Sequence, residues 1–202
     1  MASRHVEEKR QRISEDILAR AIPVIEDGSY SQLTIRELCE RLGITTGLFY
    51  RHFKTKSDLM CFYAIRQASV LYEEAKDELR GLDIRKRLVR IVVISMQANL
   101  FMGPDCLLAY LNNENPLCDC SVGRGIFEEQ IHLAFEEDPQ FQGCSREEIQ
   151  VIADYLAIIS KGLCYEWYTQ RDRDGFDIMK QTDKITRMAV EQLTLPEGQA
   201  QA

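Results

Sequence analysis

Residues 34–59, TIRELCERLGITTGLFYRHFKTKSDL, hold two short segments of helical period around a glycine, then a third helix start. Thr34-Ile-Arg-Glu37 is a capping box: a threonine hydroxyl and a glutamate three residues on can satisfy each other's backbone N–H groups. Leu38 and Leu42 then share the inward face of the helix it opens, and Gly43 ends it. Thr45 can cap a second helix reaching about His52, with Phe49 and Phe53 on one face. Thr55-Lys-Ser-Asp58 is a further capping box and opens a helix expected to run to about Leu79. The stretch therefore predicts a helix, a tight turn and a second helix.

In a helix-turn-helix the second helix enters the major groove while flanking groups hold phosphates. Phe49 and Phe53 are expected to lock that helix from behind, against Leu38, Leu42 and Ile44. Its front then carries Thr46, Gly47, Tyr50 and Arg51. Gly47 permits close backbone approach, Thr45 and Thr46 offer hydroxyls, and Leu48 can touch a thymine methyl. Tyr50 and His52 can donate to phosphate oxygens, and Lys56 adds charge at a helix start. Thr34 and Arg36, opening the preceding helix, suit the same task, and Arg4, Lys9, Arg10 and Arg12 form a candidate N-terminal arm.

This signature resembles the DNA-binding region of the tetracycline-repressor (TetR) family of bacterial transcriptional regulators over about residues 10 to 60. The resemblance implies an all-α protein with an N-terminal three-helix helix-turn-helix head and a C-terminal helical ligand-binding and dimerisation bundle. It implies base approach at Thr46, Gly47 and Leu48, phosphate contact at Tyr50, His52 and Lys56, and backbone grip at Thr34. Repression of a neighbouring gene, relieved by a small molecule, is the mode the family favours. Two departures are visible: Phe49 stands where leucine is commoner, and Pro23 lies inside the first helix, expected at about Glu8 to Asp27. Since proline removes a backbone donor, a bend or restart is expected there.

The composition bounds the rest. The chain has 202 residues, is 45% hydrophobic and 28% charged, and suits a folded protein in one large or two smaller domains. Boundaries at 1–56 and 57–202 are expected. The net charge of −7 is uneven, with residues 1–60 near neutral at +1 and the acidic excess beyond them. A local basic field can oppose the net one, but coating of nucleic acid by the whole surface is disfavoured. The N-terminal MASRHVEEKRQR lacks the apolar stretch of a secretory leader, and the longest uncharged run, Ile91 to Pro104, is too short to cross a bilayer. A cytoplasmic location with no membrane partner is expected. Seven cysteines, an odd number without a CxxC pair, predict reduced thiols rather than a disulfide framework, and no metal or cofactor is expected.

Beyond Gly81, helices are expected at about 83–101, 104–112, 122–137, 145–171 and 176–194, with 112–121 a loop. The helix opened by the capping box Ser145-Arg-Glu-Glu148 has two apolar stripes. One runs Ile149, Ile152, Leu156, Ile159, Leu163 and Trp167; the other is Val151, Tyr155, Ile158 and Tyr165. A helix apolar on two sides has two sides to bury, so the second stripe, with Ile178, Ile185, Met188 and Leu193, predicts a homodimer through 145–171 and 176–194. A largely apolar effector pocket is expected among Met96, Asn99, Leu100, Phe101, Tyr110, Phe127, Gln130, His132 and Tyr165. The alternatives are a redox- or electrophile-sensing regulator using Cys106, Cys118 or Cys120, a small-molecule-processing enzyme, or an adaptor that has lost DNA binding. Enzymatic work is disfavoured, because no phosphate loop, HExxH or GxSxG occurs and His132 lacks an evident catalytic partner.

Overall fold

A computed structural model describes residues 2–103, 107 and 120–196. The described residues contain helices and no strand, and they fall into two compact units, 1–63 and 64–202.

The first unit holds α1 (Ala2–Glu26), α2 (Ile35–Leu42), α3 (Thr46–His52) and the start of α4 (Lys56–Glu74), with a 3₁₀ turn at Tyr30–Gln32. Ile17, Ala21, Leu38, Phe49 and Leu59 form its core, each at most 1% exposed. α1 continues as one helix through Pro23, without the restart expected there as one of two outcomes. Pro23 lies in the last turn, so its missing N–H costs one intrahelical bond, and its own carbonyl still accepts from the Asp27 N–H at 3.1 Å. The helix also begins at Ala2 rather than near Glu8, so Arg4, Lys9, Arg10 and Arg12 lie on a helix and form no extended arm.

Caps set the next boundaries. Thr34 and Glu37 make the reciprocal capping box of α2. The Thr45 hydroxyl accepts from Leu48 N–H at the start of α3. At Thr55 the same logic uses aspartate: Asp58 accepts the N–H groups of Lys54 and Thr55 at 2.8 and 2.9 Å, and Thr55 Oγ1 accepts the Asp58 N–H. Gly43 closes α2 in the left-handed conformation, φ +65°, which lets its N–H and that of Ile44 reach back to the final turn of α2.

In the second unit α4 ends at Glu74 instead of continuing to Leu79. Ala75, at φ −86° and ψ 0°, separates it from a short α5 (Lys76–Arg80). Then follow α6 (Ile84–Leu100), α7 (Cys120–Glu136), α8 (Arg146–Gln170) and α9 (Ile178–Glu191). The helix expected at 104–112 and the loop at 112–121 lie largely outside the described residues, although 120 and 121 already belong to α7. Helix α6 packs against α7, α8 and α9, and α8 packs against both α7 and α9. Leu88, Ile91, Ile131, Phe135 and Leu156 have essentially no exposure within this bundle.

Gly43→Ala is expected to lower the first unit's unfolding free energy by about 1 kcal/mol, because an alanine must hold the left-handed conformation. Gly43→Asn should cost less. Urea denaturation of both variants checks this, and equal stability of all three proteins would contradict the capping role.

Candidate DNA-binding surface

Helix α3 is seven residues long, and its placement follows from burying Phe49. That ring is 0% exposed and Phe53 is 4% exposed. The two rings pack at 5.8 Å between centroids, and Phe53 meets Phe62 at 5.7 Å. With this face inward, Thr46, Gly47, Tyr50 and Arg51 are exposed and Leu48 is half-buried. Tyr50 is 52% exposed and stands edge-on to Phe49, with ring planes at 87°. The outward face therefore carries a hydroxyl, a bare backbone position, a phenol and a guanidinium.

His52 is held by a residue that sequence reasoning missed. Its Nδ1 lies 2.9 Å from Ser14 Oγ, and Ser14 also donates toward Arg10 O at 3.2 Å. The Ser14 hydroxyl has one proton. If it goes to Arg10, His52 Nδ1–H donates to Ser14, and Nε2 can donate to an anion only in the imidazolium. If it goes to His52, the neutral ring presents Nε2–H. Burial, then the nearby Arg10 and Arg51 charges, hold the His52 pKa below its ordinary 6.5. Ser14 gave no signal in the sequence, since a single serine among the inward positions of a helix does not announce its partner, although it lies on the buried face with Ile17, Leu18 and Ala21.

Lys56 and Thr34 are tied into the same corner. Lys56 Nζ donates to Leu33 O at 2.7 Å and Ser31 O at 3.1 Å, and sits 4.9 Å from the Tyr30 ring centroid. Tyr30 Oη donates to the Lys56 carbonyl at 2.7 Å. Lys56 thus fixes the chain that leads into Thr34. The Thr34 hydroxyl donates to Glu37 and accepts from the Glu37 N–H, while the Thr34 N–H donates to the same carboxylate at 2.8 Å. Those bonds hold the Glu37 carboxyl below the usual carboxylate range. Arg36 is exposed and paired only with exposed Glu40 at 3.2 Å, a surface pair of small worth that an anion can replace. Arg20 donates to Leu42 O at 3.4 Å, and Arg41 donates to Ser29, bracing α2 from α1 and the turn.

The residues expected to line an effector pocket are dispersed. Met96 is fully buried, and the Cys164 thiol donates toward its sulfur at 3.7 Å. Asn99 donates to Cys164 Sγ at 3.3 Å, and Leu100 is half-buried. Phe127 belongs to the core cluster, Phe101 is 40% exposed and Tyr165 is 58% exposed. His132 is buried with Nε2 at 3.0 Å from Gln150. Gln130 lines a cleft with residues of α4 to α7. Tyr110 lies outside the described residues, as do Cys106, Cys118 and the side chain of Cys120.

The expectation of reduced thiols fails at Cys61, which is disulfide-bonded. Cys39, Cys144 and Cys164 are free thiols. Burial pushes all three upward in pKa, Cys164 to about 12, so none is an activated thiolate. Among the described residues no group of three His, Cys, Asp or Glu side chains could hold a metal ion, and no helix is long and apolar enough to cross a membrane.

Residues 17–60, which contain α2, α3 and their caps, match the family model of the bacterial regulatory proteins of the tetR family. An HTH-type transcriptional regulator of Staphylococcus aureus (strain bovine RF122 / ET3-1) is 40% identical over 60 residues, which are 30% of each chain. A second, from strain USA300, is 38% identical over the same extent. The match thus spans less than a third of those relatives. Solved structures extend the likeness of fold along most of the chain. The fatty acid degradation regulator FadR from Bacillus halodurans superposes with a TM-score of 0.51 at 16% identity, covering 88% of this chain and 93% of its own. The superantigen PfiT gives 0.51 at 15% identity, covering 87% and 95%. At such identities the likeness concerns the fold alone.

The pKa of His52 sets a pH dependence. Its folded value is depressed, so the unfolded chain takes up the proton first as pH falls through 6.5. The resulting stability is present above pH 6.5, declines below it and levels off once the folded form also protonates. His52→Asn should flatten the fall in urea midpoint between about pH 7 and 5.5. An unchanged slope would show that His52 does not titrate as described.

Proposed function

We propose that the chain is a homodimeric transcriptional regulator, acting as a repressor, that binds a palindromic operator and is released by a small molecule bound in its second unit. Residues 1–56 would form the DNA-binding domain and residues 57–202 the effector and dimerisation domain. The observation that carries this reading is the front of α3: a helix fixed by fully buried Phe49 leaves Thr46, Gly47, Tyr50 and Arg51 outward.

Thr46, Gly47 and Leu48 are assigned to base edges, where a hydroxyl, a close backbone and an apolar contact discriminate. Tyr50, Arg51, His52 and Arg36 are assigned to phosphates, which fix register without reading sequence. Lys56 is assigned to phosphate as well, and its bonds to Ser31 and Leu33 orient the Thr34 start of α2. The low net basicity of the unit suits a site that grips a few phosphates and derives selectivity from bases.

Dimerisation is supported by the second stripe of α8. Val151 and Ile158 are each 69% exposed, Tyr155 40% and Tyr165 58%, while Ile149, Ile152, Leu156 and Leu163 of the first stripe are buried. Ile185 and Met188 on α9 are exposed too, and α9 packs against α8. Contiguous exposed apolar residues on packed neighbouring helices mark an association surface. A C₂ dimer would present two copies of α3 to half-sites about 34–36 Å apart. An effector shifts operator affinity only as far as it binds two states of the dimer unequally.

Selection from a random duplex library should enrich a palindrome whose half-sites are about one helical turn apart, with affinity falling steeply as salt rises. Tyr50→Phe should weaken all bound sequences about tenfold, the worth of one hydrogen bond to a charged oxygen, whereas Thr46→Val should change which sequences are enriched. Failure to enrich any sequence would sink the reading. Separately, Ile158→Glu is expected to convert the dimer to monomer in sedimentation while leaving the helix content intact. A variant that stays dimeric would place the interface elsewhere.

A further inference from the structure

Within the second unit, α4, α5, α6 and α7 enclose a cleft of about 340 Å³. Its walls combine the apolar side chains Leu79, Ile126 and Leu133 with an ionic cluster. The carboxylate of Glu137 takes two guanidinium groups at once. Oε1 accepts from Arg80 at 3.0 and 3.3 Å, and Oε2 accepts from Arg87 Nη2. Arg87, then Arg80, hold the Glu137 carboxyl below the usual range, so it is charged. One negative charge is thereby shared between two positive ones. Of the other acidic groups on the lining, Glu73 pairs with Lys76 at 3.0 Å and acts on Arg80 only after Glu137, and Glu129 is exposed.

Arg87 is the unusual member. Its side chain is 9% exposed, and its Nε–H is buried without a hydrogen-bond partner. Buried donors are ordinarily paired, because desolvation without a partner is unfavourable. An arginine that can offer two parallel N–H groups to a planar carboxylate here keeps its Nε donor unused, on the wall of a cleft. Arg80 and Arg87 together with Leu79, Ile126 and Leu133 make an amphipathic lining. The cations and carboxylates of the whole lining are equal in number, three of each, which disfavours a multiply charged anion.

We propose that this cleft binds a small organic monocarboxylate, its carboxylate on Arg87 and its apolar body against Leu79, Ile126 and Leu133. As an effector site the cleft rests on the regulatory reading above; as a binding site it stands by itself. The fit is chemical: one acceptor group adds a negative charge beside the two guanidinium groups that share Glu137, while its apolar body meets the leucine and isoleucine side chains. The volume lies at the small end of ligand sites, roughly 300–1,000 Å³.

The test uses the full chain without DNA, with benzoate and hexanoate as probes in isothermal titration and thermal unfolding, and inorganic phosphate and hexylamine for comparison. Benzoate or hexanoate should bind and raise the unfolding temperature, with phosphate at least tenfold weaker and hexylamine inert. Leu133→Trp, which fills the cleft and leaves the ionic cluster intact, should reduce binding at least tenfold. Arg87→Met should abolish it, and Glu129→Gln should strengthen it about twofold by removing a like charge. Absence of binding to the folded wild-type chain at millimolar probe, or binding that survives Leu133→Trp, overturns the proposal; so does phosphate binding as tightly as benzoate, which would mean non-specific attraction to the arginines. Adding the bound carboxylate to an operator titration then examines regulation. A chain that binds the acid but no DNA would leave the site standing and remove the regulatory reading.

Discussion

Burial of the Phe49 ring is the constraint from which the first unit is organised. A helix of seven residues has little stability of its own, since helix nucleation is costly and short helices depend on tertiary contacts. Phe49, packed on Phe53, which in turn meets Phe62, supplies those contacts and fixes the rotation of α3 about its axis. Once that rotation is fixed, Thr46, Gly47, Tyr50 and Arg51 have nowhere to go but outward. An arrangement that chooses its exposed face by burying the opposite one needs no charge to hold it, which leaves the polar groups available to a partner.

Polar bonds then lock what packing leaves free. The caps at Thr34, Thr45 and Thr55 start three successive helices at defined residues. Tyr30 donates to the Lys56 carbonyl and Lys56 Nζ donates to the carbonyls of Ser31 and Leu33, so the start of α4 and the entry to α2 are one braced corner. Ser14 does the same for His52 from α1. A groove-reading surface has to be stiff before it meets its target, because any freedom frozen on binding is subtracted from affinity. These bonds remove that freedom in advance.

The second unit combines a conventional apolar core with two features that a core does not need. One is the stripe of exposed apolar side chains along α8 and α9, which a solitary soluble chain has reason to avoid. The other is a buried arginine with an unused donor beside a cleft. Both are local departures from full satisfaction, one hydrophobic and one polar, and unsatisfied surface in a folded protein is where partners act.

Local pattern along the chain is enough to place most of the described helices and the helix-turn-helix. Capping residues, the glycine at 43 and the spacing of Phe49 and Phe53 act over three or four positions, and interactions of that range can be read from the chain alone. It also separated the two stripes of α8, because a 3.6-residue period assigns each side chain to a face. Packing alone settles what joins distant residues: Ser14 beneath His52, Lys56 on the carbonyls of residues 31 and 33, and Arg80 of α5, Arg87 of α6 and Glu137 of the turn after α7 meeting in one cluster. It also divided the side chains expected to form one apolar pocket between core and surface, and carried α1 through Pro23 as one helix. The physical reason is common to all of these. Helical period states which face a residue occupies, but which faces are brought together is set by how whole helices pack, and that is a property of the assembled core.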